Sequence, residues 1–251
     1  MRITVQNCVD IITIRNLFAQ NRDPRELTPT MFRYKAFIFD LNGTMIDDMH
    51  YHEMAWHDVF VNQLKAQLTL EQVRHQLYGR ADEIFARVFG AGRFSKEEID
   101  TITDQKENRY REDFLPHLKL IDGLDTFLDK TKSNGIALAI GTAAPTLNVD
   151  FVIDNLNLEE FFPVIIGPDD VTECKPHPEV FLKAAMQLGI SPEACVVFED
   201  SPKGIEAAAR AGMKAIGVTS YHTADELKNT NLLFTISDYT PQNLNQLFKH
   251  S

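Results

Sequence analysis

The chain contains few cysteines, and they lie far apart. Its three cysteines are Cys8, Cys174 and Cys195, an odd number with none of the spacings that metal ligands show. This pattern excludes a disulfide framework and a cysteine-based zinc site. We therefore expect reduced thiols and a cytoplasmic location.

Long apolar runs and an excess of positive charge are also missing. No run approaches the ~20 apolar residues that span a bilayer. The first residues lack the apolar stretch and the cleavage site of a signal peptide. A net charge of −11 and a pI near 5.2 leave little with which to neutralise a line of phosphates. We expect neither nucleic acid nor membrane as a partner, whereas a small anionic ligand is not excluded.

The chain of 251 residues shows short apolar strands in alternation with helices, and its hydrophobic fraction of 44% can supply a sizeable core. This alternation predicts an α/β fold, a Rossmann-like parallel sheet with helices on both faces. The predicted strands are 34–40, 136–141, 164–167, 195–199, 215–218 and 232–236, the last at an edge. The predicted helices between them are 124–132, 146–156, 179–188 and 203–211.

One segment interrupts the alternation directly after the first strand. Residues 49–117 contain no convincing strand and predict helices at 50–68, 70–77, 81–89 and 96–114. We expect a small helical cap domain here, inserted into a core formed by residues 31–48 and 118–251. A helical decoration without a function is the alternative. Residues 1–30 are expected to be an extension that precedes the core.

Polar side chains stand where the predicted strands end. Asp40 ends the first strand and precedes a glycine turn, Thr142 follows the second strand, and Glu199 and Asp200 stand at the end of a later one. Ligands of parallel sheets bind beyond the carboxyl ends of the strands. A carboxylate delivered in this way suits a nucleophile for phosphoryl transfer.

Four segments occur in a characteristic order: 40–44 (DLNGT), 141–143 (GTA), 175–179 (KPHPE) and 198–205 (FEDSPKGI). Together they resemble the haloacid dehalogenase-like superfamily of phosphatases and phosphomutases, over roughly residues 33–240. The segment 51–56 (YHEMAW) is similar to the β-phosphoglucomutase subgroup, whose small helical cap follows the first motif.

The resemblance assigns roles to the first two segments. Asp40 matches the nucleophile that becomes an aspartyl phosphate. Asn42 matches the general acid/base, and its backbone carbonyl matches a ligand of magnesium. Thr142 matches the hydroxyl that binds the transferring phosphoryl group, although a helix-capping role is an alternative. The backbone N–H groups of Leu41 and Ala143 are expected to face the phosphate.

The last two segments are expected to balance charge. Lys175 resembles the lysine that offsets the charge of the phosphate and of the nucleophile. Glu199 and Asp200 would repel each other without a cation, and oxygen ligands suit Mg²⁺. The implied metal ligands are therefore Asp40, Asn42, Glu199 and Asp200.

The helical insertion offers weaker candidates for binding substrate. His52 and Trp56 share a helix face, and a packed His–Trp pair is the alternative. Lys106 resembles a substrate-contacting lysine of the mutase cap, but a solvated helix face is the simpler interpretation. Arg80 stands close to the position of a phosphate-anchoring arginine, without matching it.

Asn42 leaves the function open, because an amide cannot exchange protons near neutral pH. The first hypothesis is a magnesium-dependent phosphatase of small sugar-phosphate-like metabolites, in which acid/base catalysis is either weakened by Asn42 or taken over by Asp47, Asp48 or His52. The second is a phosphomutase of the β-phosphoglucomutase type. The third is a catalytically impaired protein that still binds phosphate and metal. Because caps of this kind close within one chain, we expect a monomer.

Overall fold

The computed structural model describes residues 34–244 and residue 247. The predicted extension at residues 1–30 and Cys8 lie outside these residues. Within them, Cys174 and Cys195 are free thiols. None of the helices described there is long and apolar enough to cross a membrane.

Six parallel strands form one sheet in the order β3-β2-β1-β4-β5-β6. β1 lies at the centre, where Ala36 pairs with Ala137 of β2 and with Cys195 of β4. All six predicted strands are present, and β6 is an edge strand as expected. Their bounds are β1 Ala36–Phe39, β2 Ala137–Gly141, β3 Val164–Ile166, β4 Cys195–Glu199, β5 Lys214–Val218 and β6 Leu232–Ile236.

Among the described residues, five α-helices belong to the sheet region: α5 Leu124–Ser133, α6 Thr146–Leu156, α7 Glu179–Leu188, α8 Pro202–Arg210 and α9 Pro241–Leu244. On one face of the sheet, Phe181 of α7 and Ile205 of α8 join a cluster of buried residues from β1, β2 and β4. On the other face, the Phe39 and Phe198 rings stack with centroids 4.6 Å apart, and Phe127 of α5 packs edge-on against Phe198. Both faces are covered, which explains why the central strands are almost uniformly apolar.

The insertion between β1 and α5 is helical, as predicted. It contains α1 Met49–His57, α2 Leu70–Arg74, α3 Ala81–Phe89 and α4 Lys96–Phe114. These helices bury a cluster of their own, which includes Trp56, Phe60 and Phe85. The predicted helix 50–68 was too long, because α1 passes into a π-helical stretch that ends at Gln63. Ser95 begins α4 with a capping box that it shares with Glu98, which stabilises that helix end.

A tight turn joins β1 to the insertion. Gly43 adopts a φ of 69°, and the N–H of Met45 donates to the carbonyl of Leu41 at 2.8 Å. A side chain is disfavoured at such a φ, and a Cβ on Gly43 would also lie 2.3 Å from Asp200 Oδ2. The insertion therefore leaves the sheet at the edge where the strand-end carboxylates lie.

Candidate active site

A cavity of about 1130 Å³ lies between the carboxyl edge of the sheet and the insertion. The candidate catalytic, substrate-binding and metal-ligating side chains line it, except that of Leu41, which is fully buried. Asp47 and Asp48, which the sequence offered as substitutes for the acid/base, do not line it. For Leu41 the sequence predicted only that the backbone N–H faces the phosphate, so the position of its side chain does not test that prediction. The predicted residues that line the cavity are Asp40, Asn42, His52, Trp56, Arg80, Lys106, Thr142, Ala143, Lys175, Glu199 and Asp200.

Three carboxylates meet at the floor of the cavity. Asp40, Glu199 and Asp200 each place an oxygen within 4.8 Å of the others, and their residues are 7%, 1% and 3% exposed. The sheet causes this proximity, because Phe39 of β1 pairs with Phe198 of β4 and the residues that follow emerge side by side. The name acidic cluster is used below for these three residues.

Lys175 joins two members of the acidic cluster. Its Nζ donates to Asp40 Oδ1 at 2.6 Å and to Glu199 Oε2 at 2.8 Å. Burial alone would lower the pKa of Lys175, but the negative charges of Asp40 and Glu199 raise it above the ordinary value. The lysine therefore stays charged and holds one oxygen of Asp40 in place.

One lysine does not balance three carboxylates. Burial and the charge of Glu199 raise the pKa of Asp40 despite the opposing effect of Lys175. The same two causes raise the pKa of Asp200, which accepts a bond from Thr44 Oγ1 at 3.4 Å. This surplus of buried negative charge on oxygen donors fits a divalent cation such as Mg²⁺.

Glu199 is fixed by the turn that follows it. Ser201 donates to Glu199 Oε1 from its hydroxyl at 2.6 Å and from its N–H at 3.1 Å, and the same hydroxyl caps α8 by accepting from the Gly204 N–H. A Cβ on Gly204 would lie 2.0 Å from Glu199 Cδ. The FEDSPKG segment thus combines a helix start, with Pro202 at its first position, and a recess for this carboxylate.

Thr142 stands at the end of β2 and is 2% exposed. Its hydroxyl oxygen accepts from the Ala144 N–H at 3.1 Å. The cap residue of α6 is Pro145, so the alternative role of Thr142 as the cap of that helix is wrong. The hydroxyl instead shapes the turn that borders the cavity.

Asn42 bonds toward the start of the insertion. Its Nδ2 donates to Asp48 Oδ2 at 2.5 Å and lies 3.2 Å from His52 Nε2. Asp48 also accepts from the Gly43 N–H at 3.1 Å and from the Tyr110 hydroxyl. Although burial acts to raise it, hydrogen bonds from His52, Tyr110 and Asn42 lower the pKa of Asp48.

The three residues considered as substitutes for the acid/base now differ clearly. Asp48 is fully buried, fully bonded and a poor proton donor, because its pKa is low. Asp47 is exposed and does not line the cavity. His52 does line it, beside Asn42.

Lys106 is buried, so its interpretation as part of a solvated helix face was wrong. It is 3% exposed, and its Nζ donates to His52 Nδ1 at 2.6 Å and to Glu107 Oε1 at 2.9 Å. Burial lowers the pKa of Lys106, with Glu107 acting in the opposite direction. Glu107 in turn accepts from Asn148 Nδ2 at 2.8 Å, which ties α4 of the insertion to α6 of the sheet region.

His52 and Trp56 do not form the aromatic pair that was considered as an alternative. The His52 ring stacks on Tyr110 with centroids 3.8 Å apart, whereas Trp56 stacks on Phe60 at 4.9 Å. Lys106 connects the two, because its Nζ lies 5.0 Å from the centre of the Trp56 ring. Both side chains reach the cavity from α1.

Arg80 reaches across to the loop that carries Lys175. Its guanidinium donates to the carbonyl of Val171 at 3.1 Å and to Cys174 Sγ at 3.3 Å. Arg80 thus lines the cavity while its Nε and Nη2 groups are bonded to the protein itself.

Sequence reasoning missed several residues around the cavity. Tyr110 and Glu107 hold Asp48 and Lys106, and Tyr221 donates from its hydroxyl to Glu53 Oε2 at 3.0 Å. The spacing of four between Lys106 and Tyr110 on one helix was a usable signal for Tyr110. No local pattern marks Tyr221, which follows β5 and contacts Glu53 of the insertion, a residue distant from it in the sequence.

Known proteins share this architecture. Validoxylamine A 7'-phosphate phosphatase from Streptomyces hygroscopicus subsp. limoneus is 29% identical over 80% of this chain and 92% of its own. Beta-phosphoglucomutase from Bacillus subtilis (strain 168) is 30% identical over 73% of this chain and 83% of its own. The crystal structure of beta-phosphoglucomutase (pgmB) from Clostridium difficile matches with a TM-score of 0.73 at 26% identity, over 86% of this chain and 97% of that chain.

A family model also matches the chain over residues 37–218, well over half of its length. Its span includes both ends of the site, from Asp40 to Asp200. The match carries the description haloacid dehalogenase-like hydrolase. The chain is therefore an enzyme of the haloacid dehalogenase-like hydrolase family.

Proposed function

We propose that this enzyme is a magnesium-dependent phosphatase of small, sugar-phosphate-like metabolites, which acts through an aspartyl phosphate on Asp40. One observation carries the proposal. Asp40 lies in a buried acidic cluster at the cavity floor, where Lys175 Nζ holds one of its oxygens at 2.6 Å. The other oxygen is the one that acts as the nucleophile.

The first step forms one bond and breaks one. The free oxygen of Asp40 attacks the phosphorus, and the bond from phosphorus to the leaving oxygen breaks. The Thr142 hydroxyl and the N–H groups of Leu41 and Ala143 bind the phosphoryl oxygens. In the second step, water attacks the same phosphorus, the bond to Asp40 breaks, and inorganic phosphate leaves.

The acidic cluster would hold the magnesium ion, together with the backbone carbonyl of Asn42. When bound, the ion supplies positive charge that stabilises the transferring phosphoryl group. The surplus of carboxylates over lysine in the cluster supports this assignment. Lys175 meanwhile orients Asp40 and limits its repulsion from Glu199.

Asn42 weakens both steps in this proposal. The leaving oxygen needs a proton and the attacking water must lose one, and an amide can neither give the first proton nor accept the second. General acid–base catalysis typically contributes about 10²–10⁴-fold. Turnover should therefore be slow, unless His52 at the cavity wall takes part.

The helical insertion acts as a cap that selects the substrate, and its Trp56, Arg80 and Lys106 contribute the wall of the cavity. The relatives support a sugar-like phosphate, since one is a phosphatase of validoxylamine A 7'-phosphate and another is a β-phosphoglucomutase. The second of these supports phosphomutase activity as the other candidate.

The experiment is an assay with an aryl phosphate and with β-glucose 1-phosphate plus a trace of the bisphosphate. Free phosphate identifies the phosphatase, and glucose 6-phosphate identifies the mutase. Asp40→Asn should abolish both, as should removal of Mg²⁺ with a chelator. The matched control is Asp47→Asn, an exposed carboxylate in the same loop, which does not line the cavity.

The proposal fails if phosphate release continues in Asp40→Asn or without divalent metal. That result would favour an impaired protein that binds phosphate and metal, which is then tested by phosphate binding to the wild-type chain.

A further inference from the structure

The amide of Asn42 faces a buried carboxylate, and this contact fixes its orientation. A carboxylate only accepts hydrogen bonds, so the group opposite Asp48 Oδ2 must be a donor. Asn42 Nδ2 fills that role at 2.5 Å. The oxygen of the amide must therefore point elsewhere.

Asp48 is a rigid partner for Asn42. It has no solvent exposure, lies directly before α1, and accepts from the Gly43 N–H and the Tyr110 hydroxyl as well as from Asn42. Both of its oxygens are thus engaged. A change at position 42 cannot easily be absorbed by movement of Asp48.

The groups around Asp48 leave no spare cation for a second carboxylate. His52 Nε2 lies 3.4 Å from Asp48 Oδ2, and Lys106 is bonded to His52 Nδ1 and to Glu107. Within the described residues, the other titratable groups that interact with Asp48 are the Tyr110 hydroxyl and the carboxylates of Asp47 and Asp200, which add no positive charge. An aspartate at position 42 would face Asp48 at hydrogen-bond distance as a like charge, which is unfavourable in a buried site.

We propose that Asp48 is a positioning residue for Asn42, and that the amide at position 42 and the carboxylate at position 48 depend on each other. Asp48 holds the side chain of residue 42 and requires a donor there. The link to catalysis rests on the proposed function, in which residue 42 stands at the acid/base position of the phosphoryl transfer.

The proposal predicts that the two residue types can be exchanged between the positions. With Asp48→Asn, the new amide can donate to an aspartate at position 42 and to the Tyr110 oxygen, while its carbonyl accepts from the Gly43 N–H. The donor and the acceptor are then reversed, and the number of buried charges is unchanged. Asp48→Asn alone is tolerated, because the Asn42 amide can turn its oxygen toward the new donor.

The test is a set of full-length variants: Asn42→Asp, Asp48→Asn, their combination, and Asn42→Asp with Asp47→Asn as the matched control. Thermal unfolding is followed for each, and kcat and KM for an aryl phosphate are measured with Mg²⁺. Asn42→Asp should lower the unfolding midpoint by more than about 6 °C. Addition of Asp48→Asn to Asn42→Asp should recover at least half of the lost midpoint, and addition of Asp47→Asn should recover none of it.

The kinetic result separates positioning from structural support. The exchanged variant should have a kcat at least tenfold above that of Asn42→Asp alone, with KM within about twofold, since acid–base catalysis of about 10²–10⁴-fold is at stake. A merely structural contact would restore the midpoint and leave the kcat ratio near one.

The proposal is overturned if Asn42→Asp lowers the midpoint equally with and without Asp48→Asn, if Asp47→Asn rescues as well, or if the exchanged variant fails to fold. A kcat ratio near one overturns the positioning role. The midpoints require no turnover, so they stand even where the proposed function fails. Persistence of activity in Asp40→Asn is the result that marks that separate failure.

Discussion

Replacing Lys175 with methionine should destabilise the protein strongly when divalent metal is absent. The substitution keeps an unbranched side chain, one atom shorter, and removes its charge. Asp40 and Glu199 would lose the ammonium group that lies 2.6 Å and 2.8 Å from their oxygens. Their side chains are 10% and 1% exposed, so water compensates only in part for the lost ammonium group.

The size of the effect follows from that burial. Removal of one partner from a buried ion pair costs about 3–5 kcal/mol, because the other charge is left without compensation. For a domain of this size, 1 kcal/mol corresponds to a shift of about 2–4 °C in the midpoint of thermal unfolding. We therefore expect Lys175→Met to lower the midpoint by roughly 6–20 °C in a chelating buffer.

The assay is thermal unfolding by circular dichroism, first with a chelator and then over a titration with Mg²⁺. Magnesium should raise the midpoint of Lys175→Met more than that of the wild type, because the variant has the more negative site. The control is Lys203→Met. Lys203 lines the same cavity but is exposed, and within the described part of the chain no carboxylate contact is found for it. Its loss should shift the midpoint by no more than about 2 °C, as for an ordinary surface change.

A midpoint for Lys175→Met within about 2 °C of the wild type in the chelating buffer would refute this reasoning. The acidic cluster would then be stable without its lysine, and its carboxylates could not be charged and buried together. The expected dependence on Mg²⁺ would lose its physical basis as well.

Three further changes test neighbouring parts of the site. Gly204→Ala should lower the apparent affinity for Mg²⁺ at least tenfold, as measured from the rise of the unfolding midpoint during a Mg²⁺ titration, because the new Cβ would lie 2.0 Å from Glu199 Cδ. Tyr221→Phe should cost about 1–3 kcal/mol in urea unfolding and raise KM, since it leaves the buried Glu53 without its hydroxyl partner. Glu179→Gln should remove acid-dependent stability: the pKa of Glu179 is lowered from 4.5 to about 2, chiefly by Lys183, so its contribution is present above pH 4.5 and lost as the pH falls through about 2.

Each of these three predictions has a control or a contrary result. Gly217→Ala should leave Mg²⁺ affinity unchanged, because its Cβ would meet side-chain carbons at 3.0–3.4 Å and no carboxylate. Unchanged KM in Tyr221→Phe would show that its bond to the insertion does not affect substrate binding. If unfolding midpoints measured between pH 5 and pH 2 have the same slope in Glu179→Gln and in the wild type, the proposed contribution of Glu179 is absent.

The sheet and the acidic cluster were predictable from the sequence for one physical reason. Parallel strands end at the same edge, so the residues that follow them converge without any knowledge of long-range contacts. Asp40 and Asp200 are 160 positions apart, yet both follow apolar runs whose registers align in the structure. The full set of strands was identified because buried parallel strands leave continuous apolar runs.

The insertion was less predictable, because its polar residues take their roles from distant partners. The run KENRY, residues 106–110, has the composition of a solvated helix, yet Lys106 and Glu107 are buried against His52 and Asn148. The end of the π-helical stretch at Gln63 was also missed. No glycine or proline marks it, and the chain turns at Lys65 with a φ of 62°.

The structure changes how the charge around Asn42 is interpreted. Taken alone, an amide at that position looks like a carboxylate lost from the site. Asp48 lies six residues later and places a buried carboxylate against the same amide, so negative charge is retained beside residue 42. The proton is not retained, because Asp48 is fully bonded and its pKa is lowered. In the proposed phosphoryl transfer, a proton for the leaving group would then have to come from the cavity side, where the His52 ring lies 3.2 Å from the Asn42 amide.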